Sequence, residues 1–158
     1  MGSCITIPLV MTSSSIPKDV QVSKLPTYTP KVINPTVVKV YDGDTITIAG
    51  RINGDRTIYK FSVRLRGIDC PEMKTKNQAE KNIAVKARDF VADLCLNKRV
   101  KLENCSNDKY GRLLADVIVN GKNISALLIE NKLAVAYDGG TKHVPENWEV
   151  FHGGSADL

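Results

Sequence analysis

The sequence predicts an α+β fold, a five-stranded β-barrel of the OB type with two to three helices. Three observations support this prediction. Short runs of alternating polar and apolar residues are separated by turn pairs, namely Asp42-Gly43, Asn53-Gly54 and Asn120-Gly121. A long segment after the third run has helical spacing, and 158 residues are enough to build one hydrophobic core.

Five runs are predicted as strands because β-branched and aromatic residues dominate them and turn residues bound them. They cover residues 37–41, 45–48, 59–66, 100–103 and 113–119. The pair Asp42-Gly43 joins the first two runs, so we expect a hairpin with an acidic tip.

Residues 78–96 are predicted as the main helix. Apolar residues recur there at three- and four-residue spacings, namely Ala79, Ile83, Ala87, Phe90, Val91 and Leu94. A shorter helix is predicted over residues 123–131, which carry Ile124, Leu127 and Leu128, and a last helical turn over residues 145–151.

The composition divides the chain into three predicted segments. Residues 1–35 are rich in Ser, Thr and Pro without a sustained period, so they are predicted to be a disordered lead-in. Residues 36–140 form the predicted OB domain. Gly139-Gly140 interrupts the chain, and residues 141–158 are predicted to be a short C-terminal extension.

Charge and cysteines restrict the function classes. The net charge of +5 and the pI of about 9.0 favour polyanionic partners such as nucleic acid, although many basic proteins bind none. The four cysteines form no CxxC pair and have no nearby histidine, which argues against zinc. The four cysteines could form two disulfides or remain free thiols, and we favour free, reduced thiols inside a cell.

The N-terminal residues bear on the location of the protein and on its lipid modification. Pro8 and the polar residues 12–15 interrupt any secretory signal, so we expect an intracellular protein. Gly2 followed by Thr6 fits the N-myristoylation pattern, and Cys4 could accept a second acyl chain, which together would anchor the protein to a membrane. The alternative is an unmodified N-terminus.

Two acidic positions point to a cation. Asp42-Gly43-Asp44 taken alone is an ordinary turn. Asp69, however, follows the third strand, and Ca²⁺ prefers carboxylates, backbone carbonyls and water. Asp44 and Asp69 would supply carboxylates, and Cys70 would supply its backbone carbonyl.

Arginines and a glutamate accompany these acids. Arg64 and Arg66 share one strand face, where one of them could pair with the acids and bind phosphate, or both could be ordinary surface residues. Glu72 is either a solvated loop acid or a group that activates a water molecule. Arg112 opens a strand directly after Gly111, and a plain polar loop would not require an arginine there.

Four stretches in order, YDGDT, RLRGIDCPE, DKYGRLLADV and NISALLIENKLAVAY, resemble the staphylococcal nuclease family over about residues 36–137. The resemblance implies one Ca²⁺ ion per domain, held by Asp44, Asp69 and the Cys70 carbonyl, where many relatives have Thr. It implies catalytic roles for Arg64, Arg112 and Glu72, the last as general base. It also implies substrate contacts, which would come from Lys109, Tyr110 and Tyr137.

The resemblance further implies the reaction. The expected activity is a Ca²⁺-dependent endonuclease that hydrolyses DNA and RNA with low sequence specificity and leaves 3′-phosphate ends. We expect the protein to be a monomer. We also expect it to prefer single-stranded substrates, because stacking of bases on tyrosine tolerates any base. The alternative is a catalytically weak or inactive OB-type module that binds nucleic acid.

Two departures from the family pattern concern architecture. The sequence has Asn131-Lys132-Leu133 where relatives often have glycine before Leu-Ala, which affects a helix end. The residues after Tyr137 are too few and too interrupted to supply the long last helix of the secreted enzymes.

Overall fold

The computed structural model describes residue 16 and residues 18–153, so the acylation prediction for Gly2 and Cys4 falls outside the described residues. The strands are β1 Val32–Val40, β2 Thr45–Ile52, β3 Tyr59–Leu65, β4 Ile68–Asp69, β5 Lys101–Asn107, β6 Leu113–Val119, β7 Lys122–Asn123 and β8 Val135–Ala136. The helices are α1 Gln78–Cys95, α2 Ile124–Glu130 and α3 Trp148–His152, and a 3₁₀ turn covers Val22–Lys24.

The main sheet confirms the predicted OB-type α+β fold. Its strand order is β1-β2-β3-β6-β5, with β7 added to β6. The β3–β6 pair is parallel, and the other pairs are antiparallel. The sheet curls until β1 meets the residues before β5: the Val37 N–H donates to the Lys98 carbonyl at 3.0 Å, and the Asn97 N–H donates to the Val37 carbonyl at 2.9 Å.

Strand β1 begins at Val32 and not at residue 36, which corrects the predicted boundary of the lead-in. Asn34-Pro35 falls in the predicted lead-in, but it forms a bulge inside the strand. The pairing register with β2 shifts between Ile33 and Thr36, and Asn34 has a φ of 51°. A bulge is one of the few places in a sheet where proline, which lacks an N–H, is tolerated.

The helices match the predicted segments closely. Asn77 caps α1 by accepting hydrogen bonds from the N–H groups of Ala79 and Glu80, and Asn123 caps α2 in the same way. α2 ends in a Schellman motif, in which the Leu133 N–H donates to the Leu128 carbonyl at 2.9 Å and the Lys132 N–H donates to the Ile129 carbonyl at 3.0 Å. Lys132 itself has a φ of 53°, a position that usually carries glycine.

The core lies between the concave face of the sheet and α1. Alternate residues of β2 and β3 are buried, and α1 contributes Ile83, Ala87 and Val91. Trp148 of α3 is only 4% exposed and packs edge-on against Phe151, with ring centroids 5.7 Å apart. The packed unit therefore reaches beyond the predicted limits of 36–140 at both ends, because Val32 and Phe151 both contact the core.

Two further points concern the described part of the chain. Cys70, Cys95 and Cys105 are free thiols there. The helices among these residues are all too short or too polar to span a lipid bilayer.

Candidate active site

A cavity of about 670 Å³ opens where the acidic turn, the end of β3, the loop before β6 and the segment after β8 meet. Every catalytic, metal-ligating and substrate-binding residue predicted for the domain lines it: Asp44, Arg64, Asp69, Cys70, Glu72, Lys109, Tyr110, Arg112 and Tyr137. The tertiary structure thus gathers residues from four separate stretches into one site.

Arg64 lies between the two predicted ligand carboxylates. Its Nη1 is 2.7 Å from Asp44 Oδ2, and its Nη2 is 3.3 Å from Asp69 Oδ1. Nη2 also donates to the Ile68 carbonyl at 3.0 Å, whereas Nη1 has no hydrogen-bond acceptor, so its contact with Asp44 is an ion pair without hydrogen-bond alignment. The three side chains are only 5–13% exposed, so the guanidinium fixes the spacing of the two acids.

The charge of Asp44 is only partly compensated. Burial raises the pKa of its carboxyl to about 6; Arg64 lowers this pKa and Asp42 raises it. Asp44 Oδ1 accepts a hydrogen bond from Thr45 Oγ1 at 2.9 Å. An additional cation nearby would stabilise the ionised form of a buried carboxylate whose pKa is raised in this way.

The residues present fit a hard cation with few protein ligands. No group of three or more His, Cys, Asp or Glu side chains suited to a metal occurs among the described residues, so Asp44 and Asp69 would need backbone oxygen and water as further ligands. Burial raises the pKa of the Cys70 thiol well above its usual value, so the sulfur remains neutral. Of the groups of Cys70, the backbone carbonyl is therefore the one suited to a hard cation.

Gly43 allows the acidic turn to approach the helix. A Cβ at this position would lie 2.8 Å from Cys70 Sγ and 2.8 Å from Ala87 Cβ, closer than any normal contact. The glycine is therefore required because the turn that carries Asp44 packs directly on α1 and on Cys70.

Arg112 enters the site from the opposite side. Asp108 accepts hydrogen bonds from Arg112 Nε at 2.6 Å and from the Arg112 backbone N–H at 2.9 Å. Arg112 Nη1 donates to Thr45 Oγ1 at 3.4 Å. Since Thr45 also contacts Asp44, one hydroxyl connects the Arg112 side of the cavity with the acidic side.

Two tyrosines border the cavity. Tyr110 is 70% exposed, and the Lys109 ammonium lies 5.1 Å and the Arg112 guanidinium 5.5 Å from its ring centroid. Tyr137 is half-buried, and its hydroxyl donates to the Gly140 carbonyl at 3.2 Å. Tyr110 thus presents a largely exposed ring at the edge of the cavity, and both cations lie over that ring.

Glu72 lies at the rim. Its side chain is 67% exposed, and its backbone N–H donates to Glu80 Oε1 at 3.0 Å. Lys142 Nζ reaches Asp69 Oδ1 at 2.9 Å and Glu72 Oε1 at 3.5 Å. The candidate base is therefore open to solvent and paired with a lysine.

Sequence reasoning did not single out three residues of this site, Thr45, Asp108 and Lys142. Asp108 precedes Arg112 by four residues and could have been recognised as its partner. Nothing in the sequence connects Lys142 with Asp69, because the pair forms only when β8 returns beside β4.

Arg66 does not face the acids. It donates to the Asn104 carbonyl at 2.6 Å, to Ser106 Oγ at 2.7 Å and to the Leu114 carbonyl at 3.3 Å. It therefore stabilises the bulge of β5, where the pairing register shifts between Glu103 and Ser106. The sequence left open whether Arg64 or Arg66 pairs with the carboxylates, and in the structure Arg64 does so.

Fold and site together define an OB-type domain with paired carboxylates and arginines in one cavity, a combination suited to phosphate esters. A family profile described as "Staphylococcal nuclease homologue" matches residues 62–150. The chain belongs to the staphylococcal nuclease family.

Individual relatives agree with this assignment. The chain is 32% identical over 122 residues to the endonuclease YncB of Bacillus subtilis (strain 168), covering 73% of this chain and 55% of that protein. It is 31% identical over 102 residues to the thermonuclease of Staphylococcus hyicus, covering 63% and 57%. An uncharacterized endonuclease of Haemophilus influenzae is 37% identical over 101 residues, covering 64% and 51%. The chain thus spans about half the length of these relatives.

Proposed function

We propose that this protein is a Ca²⁺-dependent endonuclease that hydrolyses phosphodiester bonds of DNA and RNA with low sequence specificity. The observation that carries the proposal is the arrangement of Arg64 and Arg112 on two sides of Asp44, one through an ion pair and one through Thr45. Two guanidinium groups beside a carboxylate pair are suited to neutralise a phosphate whose charge increases during reaction. Family membership and the names of the relatives support the same reaction class.

The residues of the chain have separable roles in this proposal. Arg64 and Arg112 bind the non-bridging phosphate oxygens, and Asp108 holds Arg112 in place for that purpose. Glu72, exposed at the rim, accepts the proton of the attacking water. Tyr110 stacks on a base, with Lys109 and Tyr137 beside it, which favours single-stranded substrates.

Asp44, Asp69 and the Cys70 carbonyl are the groups that would hold Ca²⁺. When bound, the cation would polarise a phosphate oxygen as a Lewis acid. In-line attack with departure of the 5′-oxygen would leave 3′-phosphate ends, as the family resemblance implies.

The test is cleavage of a 5′-labelled single-stranded DNA by the purified protein, with Ca²⁺ or with excess chelator. Glu72→Ser is compared with Glu130→Ser, which removes an exposed acid of α2 that does not line the cavity. Cleavage that needs Ca²⁺ and is lost only in Glu72→Ser is expected, and sensitivity of the product ends to a 3′-phosphatase checks the chemistry. Binding without cleavage under every metal tried would favour the inactive OB-type module.

Acylation at Gly2 is a separate proposal that rests on the sequence motif alone. Uptake of labelled myristate by the wild type but not by Gly2→Ala would support it. Absence of label in both proteins, expressed with an active acyltransferase, would contradict it.

A further inference from the structure

Lys142 occupies a position among the acids that neither the family motifs nor the proposed reaction assigns. Its ammonium is 2.9 Å from Asp69 Oδ1 and 3.5 Å from Glu72 Oε1. Asp69 is 5% exposed, whereas the Lys142 side chain is 47% exposed. A largely solvated lysine therefore reaches a buried carboxylate from outside the core.

The chain directs Lys142 to this place. The Tyr137 N–H donates to the Gly67 carbonyl at 2.9 Å, which anchors the segment beside β4. Gly139 has a φ of 98°, and the Gly140 N–H donates to Asp138 Oδ1 at 2.9 Å, so the chain turns sharply before Lys142. On the other side, buried Trp148 anchors α3 in the core. Residues 138–147 thus form a strap that is fixed at both ends, and Lys142 projects from it.

The same oxygen of Asp69 already contacts a second cation. Arg64 Nη2 is 3.3 Å from Asp69 Oδ1, so this atom has an arginine and a lysine as neighbours. A divalent cation bound to Asp69 would stand close to the Lys142 ammonium, and like charges a few ångströms apart repel one another. Arg64 is held by the Ile68 carbonyl and by Asp44, whereas the partners of the Lys142 ammonium among the described residues are Asp69 and the exposed Glu72.

We propose that the strap residue Lys142 competes with the divalent cation for Asp69, so that cation loading requires the Lys142–Asp69 pair to open. This inference rests on the proposed function, because it concerns the cation of the same site. Lys142 acts as an internal counter-ion of the cation-free protein, and its ammonium stays beside Asp69 until a cation displaces it. Glu72, which shares the ammonium, is released in the same step.

If Lys142 instead supported cation binding, its removal would change the cation affinity in the opposite direction. If the ammonium helped to hold the acids in the geometry that the cation needs, its removal would weaken cation binding. The sign of the change in cation affinity therefore separates competition from support.

The experiment is calorimetric titration of the full-length protein with CaCl₂ at low ionic strength, without nucleic acid. Wild type, Lys142→Met and Lys142→Arg are compared with Lys122→Met. Lys122 is exposed in β7, which pairs with the end of β6 remote from Arg112, so this control removes the same charge away from the site.

Lys142→Met is expected to bind Ca²⁺ more tightly than the wild type, by up to about thirtyfold, as the repulsion between a divalent cation and a unit charge about 4 Å away in water implies. Lys142→Arg keeps the charge and is expected to stay near the wild-type value, as is Lys122→Met. Equal affinities in all four proteins, or weaker binding by Lys142→Met, would overturn the competition while leaving the proposed nuclease intact. Absence of Ca²⁺ binding in every protein would overturn both.

A second readout is the melting temperature of the protein, measured in chelator and in Ca²⁺. Removal of Lys142 leaves Asp69 and Glu72 without one of their counter-ions, so Lys142→Met is expected to melt at a lower temperature than the wild type in chelator. Added Ca²⁺ is expected to raise its melting temperature more than that of the wild type. An equal rise in both proteins would contradict the proposal.

Discussion

Asp108 holds Arg112 by two hydrogen bonds, one from the Arg112 backbone N–H at 2.9 Å and one from the side-chain Nε at 2.6 Å. Burial alone would raise the pKa of the Asp108 carboxyl, but these bonds and one from the Tyr110 N–H outweigh burial and lower it. The carboxylate is thus ionised and fixed, and it leaves Nη1 of Arg112 to reach Thr45 across the cavity. A loop acid that appeared unremarkable in sequence therefore orients a candidate catalytic arginine.

Asp108→Asn is expected to lower nuclease activity about tenfold while the protein still folds, because a charged hydrogen bond to Arg112 is lost. Initial rates of single-stranded DNA cleavage measure the effect, and circular dichroism checks the fold. Asp116→Asn is the matched control, since Asp116 on β6 contacts Asn104 and does not line the cavity. Equal rates in the two variants would remove Asp108 from the positioning of Arg112.

Arg112→Lys is expected to lose most cleavage activity without loss of fold. An ammonium cannot present two parallel donors to a phosphate or hold Asp108 through the same geometry. Single-turnover cleavage measures the chemistry, and fluorescence anisotropy with labelled DNA measures binding. A turnover close to that of the wild type would exclude Arg112 from the mechanism.

Gly43→Ala is expected to destabilise the fold by about 1–3 kcal/mol, the usual cost of overpacking. The added Cβ would lie 2.8 Å from both Ala87 Cβ and Cys70 Sγ, so the acidic turn must move away from α1. Urea denaturation measures the free energy of unfolding, and Ca²⁺ titration reports the displacement of Asp44. Stability and Ca²⁺ affinity equal to those of the wild type would show that the turn has room that the structure does not reveal.

Cation affinity is expected to fall as the pH falls through about 6. Burial raises the pKa of Asp44 to about 6, so below that pH the folded, cation-free protein holds a proton that the cation must displace. Above pH 6 the carboxylate is ionised and affinity should be nearly constant; below it, affinity should fall by up to about tenfold per pH unit. Calorimetric titration at pH 5.0, 6.0 and 7.5 tests this, and a flat profile would contradict it.

Lys132→Gly is expected to stabilise the protein by about 0.5–1 kcal/mol. Lys132 has a φ of 53° in the Schellman motif that ends α2, and a left-handed backbone costs an L-residue energy that glycine does not incur. Lys132→Ala serves as the control, because it removes the same side chain but keeps the strained backbone. Thermal melts of both variants measure the effect, and an equal gain in the two would assign it to the lysine side chain instead.

Much of the fold could be read from local pattern. The turn pair Asp42-Gly43 between two β-rich runs predicts the first hairpin, and the structure forms it with Asp44 at its end. The spacing of Ile83, Ala87 and Val91 predicts α1, because a helix with one apolar face must bury it. Composition misled the prediction at Asn34-Pro35, because the Pro-rich composition places these residues in the lead-in although they form a bulge inside β1.

The sequence alone also determined which residue types make up the candidate site, since the motifs name Asp44, Arg64, Asp69 and Arg112. Only the tertiary structure decided how they pair. Arg64 and Arg66 are alike in sequence, but Arg64 lies within β3 and pairs with the acids, whereas Arg66 follows the end of β3 and donates to the β5 bulge. Lys142 joins Asp69 only because β8 pairs with β4, a contact between distant segments. Local sequence encodes the conformation of each segment, whereas ion pairs between segments depend on how the whole chain packs.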